Sequence, residues 1–204
     1  MVVVGCGNKT PETSQSVEAE AQVASKPTPE PDPISPAEEK VIAIADPIVE
    51  KVVRKALDKP EGELTEADLE KVTELDLRGT KITDEGLKEL AKLKKLDDLD
   101  LSGTKITATA LKDVAKLQSL TSLTLGDSLS PSSVKITNKD LKEVAKLQRL
   151  EYLWLWDTKI TDLGLKEVAK LKKLHTLDLS DTQTTKEGVA ELKKALPNLG
   201  ILDL

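Results

Sequence analysis

The stretch Leu99-Asp-Leu-Ser-Gly-Thr-Lys-Ile-Thr107 decides how this chain folds, because it returns. Copies stand at Leu75-Asp-Leu-Arg-Gly-Thr-Lys-Ile-Thr83, Leu153-Trp-Leu-Trp-Asp-Thr-Lys-Ile-Thr161 and Leu177-Asp-Leu-Ser-Asp-Thr-Gln-Thr-Thr185. Leu-x-Leu segments mark six units, at 75/77, 99/101, 123/125, 153/155, 177/179 and 202/204. The period is regular apart from one longer step between the third and fourth units and a slightly longer one before the last. A unit this short cannot bury its own apolar face, so a fixed period predicts stacked units sharing one continuous core. Alternation in the Leu-x-Leu segment reads as a strand with its leucines turned inward. Leu87, Leu90, Leu93 and Leu96 then fall at helical spacing, behind Thr83-Asp84-Glu85, a sequence suited to a helix start.

The segment Leu96-Asp-Asp-Leu-Asp-Leu-Ser-Gly-Thr-Lys-Ile106 resembles the leucine-rich repeat pattern Leu-x-x-Leu-x-Leu-x-x-(Asn/Cys)-x-Leu. The resemblance covers residues 46–204. It implies an α/β solenoid, a horseshoe with a concave parallel β-sheet and convex helices, as in the bacterial, ribonuclease-inhibitor-like subclass. One position departs from the pattern, where Thr80, Thr104, Thr158 and Thr182 stand for Asn or Cys. A threonine hydroxyl can still bond to backbone in that turn, with fewer bonds than an amide makes.

Outside the repeats the composition changes. Seven of the ten prolines lie in the first 47 residues, mostly separated by Glu, Ser and Thr, so residues 1–45 read as an extended tail that cannot bury a core. Val3-Val-Gly-Cys6 resembles a bacterial lipoprotein box, which implies lipidation at Cys6 and a cell-envelope location, lipid-anchored or periplasmic. Only five residues precede Cys6, short of a signal sequence, and the alternative is a free thiol in a cytoplasmic protein. Residues 46–72 read as a helical cap. Ile48, Val49, Val52, Val53, Ala56 and Leu57 share one helix face, Lys59-Pro-Glu-Gly62 ends it, and Thr65 with Asp68 begins a second helix. The repeats then occupy residues 73–204. Two irregularities stand out. The third unit carries six extra residues within 126–134, and no polar cap follows the last strand, which predicts an open edge suited to self-association.

Function follows from the strand faces. With the leucines inward, the concave face carries Glu74, Asp76 and Arg78, then Asp98, Asp100 and Ser102, then Ser122, Thr124 and Gly126. It continues with Tyr152, Trp154 and Trp156, and with Thr176, Asp178 and Ser180. Every aromatic residue of the chain is in one row on that face. Such a row is suited to partner binding, because Trp and Tyr dominate interface hot spots. The neighbouring acids Asp76, Asp100 and Asp178 favour a protein or peptide with basic groups, through cation–π contact and ion pairing. Three competing uses are a sugar stacked on Trp, calcium at Asp76, Asp98 and Asp100, and the chain's own Pro27-Thr-Pro-Glu-Pro-Asp-Pro33 docked on the aromatics.

A net charge of −6 argues against nucleic acid as the main partner. The convex lysines 88/92, 112/116, 142/146 and 166/170 alternate with acids and read as solvated helix faces. One Cys and one His form neither a disulfide framework nor a Cys/His metal site. No run approaches the roughly 20 apolar residues of a membrane span, which leaves a lipid anchor as the route to a membrane. No nucleophile is paired with a base, so the chain reads as a non-enzymatic binding scaffold without cofactors, with an envelope structural role as the alternative.

Overall fold

The computed structural model describes residues 40–126 and 136–202. Cys6, the proline-rich tail before residue 40 and most of the inserted 126–134 segment lie outside the described residues. The chain divides into two units, Met1–Ala37 and Glu38–Leu204, and the second holds the repeats.

Six three-residue strands form one parallel sheet in sequence order: β1 (Glu74–Asp76), β2 (Asp98–Asp100), β3 (Ser122–Thr124), β4 (Tyr152–Trp154), β5 (Thr176–Asp178) and β6 (Gly200–Leu202). The middle residues Leu75, Leu99, Leu123, Leu153 and Leu177 align across the sheet, followed by Ile201. All five leucines are buried, as are Leu77, Leu101, Leu125, Leu155 and Leu179 two residues on. Their partners in the core come from the returning segments: α3 (Asp84–Lys88), α4 (Leu111–Val114), α5 (Leu141–Val144), α6 (Asp162–Val168) and α7 (Lys186–Ala195). These helices are short. Those after β2 and β3 are single turns of four residues, and α3 runs into a 3-10 turn at Glu89–Lys92.

Before the sheet come α1 (Pro47–Ala56), capped by Asp46, and α2 (Glu66–Leu69), held by a reciprocal Thr65–Asp68 capping box. Val49 and Val53 on α1 are fully buried in the common core. Lys59 and Thr65 both donate to the Asp68 carboxylate, and the lysine does most to hold that group well below the usual carboxylate range. Residues 40–45, assigned to the tail in the sequence reading but apolar after Lys40, pack onto this cap: Ile42 N–H donates to Leu64 O at 2.8 Å, and Ile44 is buried.

Where the family pattern has Asn, the threonine hydroxyls take over the turn. Thr80, Thr104, Thr158 and Thr182 each donate to the carbonyl three residues back, at 2.6–2.7 Å. A second ladder joins one unit to the next. Asp84 accepts from Thr107 N–H at 2.8 Å, Asn138 from Thr161 N–H at 2.9 Å, and Asp162 from Thr185 N–H at 2.8 Å. Thr161 and Thr185 also cap their own helices, so one residue fixes both the helix start and its distance from the preceding unit.

The last unit corrects the sequence reading. The pair 202/204 was expected inside, yet the register aligns Gly200 with Thr176, Ile201 with Leu177 and Leu202 with Asp178. Ile201 is therefore the equivalent of Leu177, one regular period on, and Leu202 stands on the sheet face, half-exposed. A one-residue shift exchanges the faces of a strand. Here Leu199, buried at the end of the return segment, leaves only Gly200 before the inward position.

Candidate functional site

The sheet face gathers the chemistry. Side chains at the first and third positions of each strand make two rows across it. One runs Glu74, Asp98, Ser122, Tyr152, Thr176; the other runs Asp76, Asp100, Thr124, Trp154, Asp178. Tyr152 and Trp154 share this face, on either side of the buried Leu153. Tyr152 and Trp154 stack, with ring centroids 5.9 Å apart and planes at 14°, and Tyr152 is 41% exposed. Trp156 follows β4, half-buried and outside that stack. Its backbone lies so close to Gly126 that a Cβ there would stand 2.7 Å from Trp156 N.

Burial separates the small residues from their neighbours. Ser122 and Thr124 point to the same face as the rings, yet they are only 6% and 7% exposed. Their register neighbours are the larger Asp98 and Asp100 on β2 and Tyr152 and Trp154 on β4. The result is a depression of about 220 Å³ floored by Ser122 and Thr124, with Trp154 on one side and Asp98 and Asp100 on the other. Glu74, Asp76 and Arg78 close its far end. The walls are two strands apart, about 9–10 Å at the usual strand spacing.

The acids of the site are not equivalent. Asp100 accepts from Ser102 N–H at 2.8 Å and from the Ser102 hydroxyl. Asp178 is held in the same way by Ser180, with 2.9 Å to the backbone N–H. Arg78 bridges Asp76 and Asp100 through long contacts of 3.5 and 3.4 Å, with its own side chain largely in solvent. Among the described residues, the Asp98 carboxylate has no ion pair and no hydrogen bond of ordinary geometry. Burial raises its pKa above the usual aspartate value, and Glu74, Asp100 and Asp97 add to the rise. Contact with the Ser122 hydroxyl offsets part of this rise, although the two groups do not meet in full hydrogen-bonding geometry.

A carboxylate with a raised folded pKa loses stability as pH climbs through that value, because the native state then gives up a favoured proton. Asp98→Asn should therefore stabilise the protein at pH 7, by up to about 1 kcal/mol after solvent screening. The gain should shrink as pH falls toward 4. Urea unfolding at the two pH values measures it, and a gain that grows on acidification would refute the assignment.

Other surfaces offer less. On the helical side, Lys88, Lys92, Lys116, Lys146, Lys170 and Lys194 each pair with an acid one turn earlier, which leaves ordinary exposed ion pairs of little net energy. A hollow of about 460 Å³ beside α1 is lined by Glu50, Lys51 and Arg54, and Arg54 is tied to Glu50. Among the described residues no group of three or more His, Cys, Asp or Glu could hold a metal ion, so Asp76, Asp98 and Asp100 do not converge as a calcium site. Among the same residues no helix is long and apolar enough to cross a membrane.

Two segments match models of known families. Residues 148–187 match a model described as leucine-rich repeats in two copies, and residues 69–91 match a leucine-rich repeat model. No curated protein matches the chain. Among solved structures, similarity extends to internalin C2 of Listeria monocytogenes, with 22% identity, 77% of this chain and 82% of that one covered, and a TM-score of 0.46. A leucine-rich repeat protein of Leptospira interrogans shows 27% identity over 66% of this chain and 32% of that one, with a TM-score of 0.48. A second Listeria monocytogenes internalin shows 20% identity over 76% and 55%, with a TM-score of 0.43. The chain thus spans about a third of the Leptospira protein and just over half of the second internalin. With six strands stacked in parallel, a helical return between successive strands and leucine-rich repeat models matching in two separate parts of the array, the chain folds as an α/β leucine-rich repeat solenoid.

Proposed function

We propose that the chain is a non-enzymatic scaffold that binds a protein or peptide on its sheet face, anchored on Tyr152, Trp154 and Trp156. Asp76, Asp100 and Asp178 would contact basic groups of the ligand. The observation that carries this reading is the stacked Tyr152–Trp154 pair, a rigid and partly exposed aromatic platform beside an acidic depression. Ordered rings lose little rotamer freedom on binding, which is why such platforms make hot spots. Lipidation at Cys6 would place the platform at a bacterial membrane, with the tail as tether.

Selection of random dodecapeptides on the full chain tests the proposal. Peptides enriched on the wild type should bind the Trp154→Ala/Trp156→Ala variant at least about 30-fold more weakly, the loss of one hot spot. The variant should keep its circular dichroism, since the leucine core lies on the opposite side of the strands. Equal binding to both proteins, or no enrichment, would refute the reading. Glycans that shift tryptophan emission where peptides do not would point to carbohydrate instead.

A further inference from the structure

Among the described residues, four carboxylates surround the depression and one guanidinium, that of Arg78, answers them. Arg78 reaches Asp76 and Asp100, which leaves Asp98 without a cation among those residues. Facing Asp98 across the β2–β3 register is Ser122, whose hydroxyl is more than nine-tenths buried and has no hydrogen-bond partner among the described residues. Buried hydroxyls nearly always find a partner, and Ser122 lines the depression with its hydroxyl unsatisfied. At about 220 Å³ the space is below the roughly 300–1,000 Å³ of small-molecule pockets and suits a single side chain.

Resting on the binding role proposed above, we infer that the depression between Trp154 and Asp98 is a socket for one arginine side chain of the ligand. The guanidinium lies flat against the Trp154 indole and over the Ser122–Thr124 floor. Its N–H groups donate to the carboxylates of Asp98 and Asp100, and the Ser122 hydroxyl beneath turns to donate to Asp98. Arginine fits better than lysine, because a planar group with five fixed donors can stack and bond to several acceptors at once, whereas an ammonium is a compact point charge. The socket also accounts for keeping an uncompensated acid on β2: Asp98 costs stability in the free protein and is satisfied when the cation arrives.

The test uses the full chain labelled with ¹⁵N and three probes, N-acetyl-arginine amide, N-acetyl-lysine amide and the neutral isostere N-acetyl-citrulline amide. The arginine probe should shift the Trp154 indole and the Ser122 and Asp98 amide resonances saturably, in the millimolar range expected of one side chain. Lysine should bind more weakly and citrulline not at all. Asp98→Asn should weaken the arginine probe about tenfold and Ser122→Ala about fivefold, magnitudes set by a charged and a neutral hydrogen bond. Because Asp98→Asn is expected to be the more stable protein, its weaker binding cannot come from unfolding. Equal shifts from citrulline and arginine, or arginine binding undiminished in both variants, would overturn the socket. Peptides that depend on the tryptophans but carry no arginine would overturn the socket alone and leave the scaffold reading standing.

Discussion

Gly126→Ala should cost about 3 kcal/mol and dismantle the aromatic edge of the sheet face, a large effect for one methyl group at the upper end of the usual range for overpacking. The added Cβ would run into Trp156, whose carbonyl oxygen, N and C atoms are its nearest neighbours. Those are backbone atoms of the adjacent unit, so no rotamer change relieves the clash. Either the stretch after β3 or the turn after β4 must move, and the Leu125 N–H to Trp154 O bond of 3.0 Å moves with it. The solenoid limits how far the damage spreads, because each unit touches only its neighbours. The β1–β2 pair should persist while Trp154 and Trp156 become mobile. Urea midpoints and tryptophan emission test this together. A variant as stable as wild type, with unchanged emission, would show that the close approach is not required.

The second large effect is expected earlier in the same unit and on the opposite face. Leu123→Ala should lose about 4 kcal/mol, near the top of the range for buried leucines. Leu123 is fully buried and has Leu99 and Leu153 as register partners on either side. Both neighbouring backbones are hydrogen-bonded into the sheet and cannot collapse into the vacated space, so the cavity stays open. The position also divides the array: with β3 weakened, the units on one side lose contact with those on the other. Nearest-neighbour coupling then predicts that the single unfolding transition splits in two. The same truncation at Ile201, on the edge strand and only partly buried, should cost less than half as much. Equal losses at Leu123 and Ile201 would show that position in the stack does not control the cavity.

Both variants touch the depression from the third unit, and they reach it differently. Leu123 acts through the core beneath the floor. Gly126 acts through the backbone that positions the rings beside it. Ser122 and Asp98 differ from both, because their substitution should change binding without weakening the fold. Thermodynamic stability and ligand affinity thus separate along a few residues of two adjacent strands.

The architecture was legible from the residues alone because the signals that set it are local and repeated. Alternation sends Leu75, Leu99, Leu123, Leu153 and Leu177 inward whatever the rest of the chain does. Thr65, Thr83 and Asp46 can be recognised as helix caps or starts from a few neighbours. The same alternation puts Tyr152 and Trp154 together on the other face. The site within that face depends on contacts between residues a full unit apart, which no local pattern encodes. Periodicity assigns Ser122 and Thr124 to the solvent side, yet the folded chain buries both at the floor of the depression. It treats Asp98 and Asp100 alike, although Ser102 satisfies one and burial penalises the other. It gives Trp154 and Trp156 equal standing, whereas ring packing pairs Trp154 with Tyr152. It misplaces the last strand by one position, because register there is decided by hydrogen bonds to β5 and by where Leu199 is buried. Sequence by itself determined the direction in which the side chains of β1 to β5 point, a property of each single strand. Tertiary structure alone decided depth, pairing and charge environment, because those are set by neighbours a whole repeat away along the chain, which meet only when the units stack.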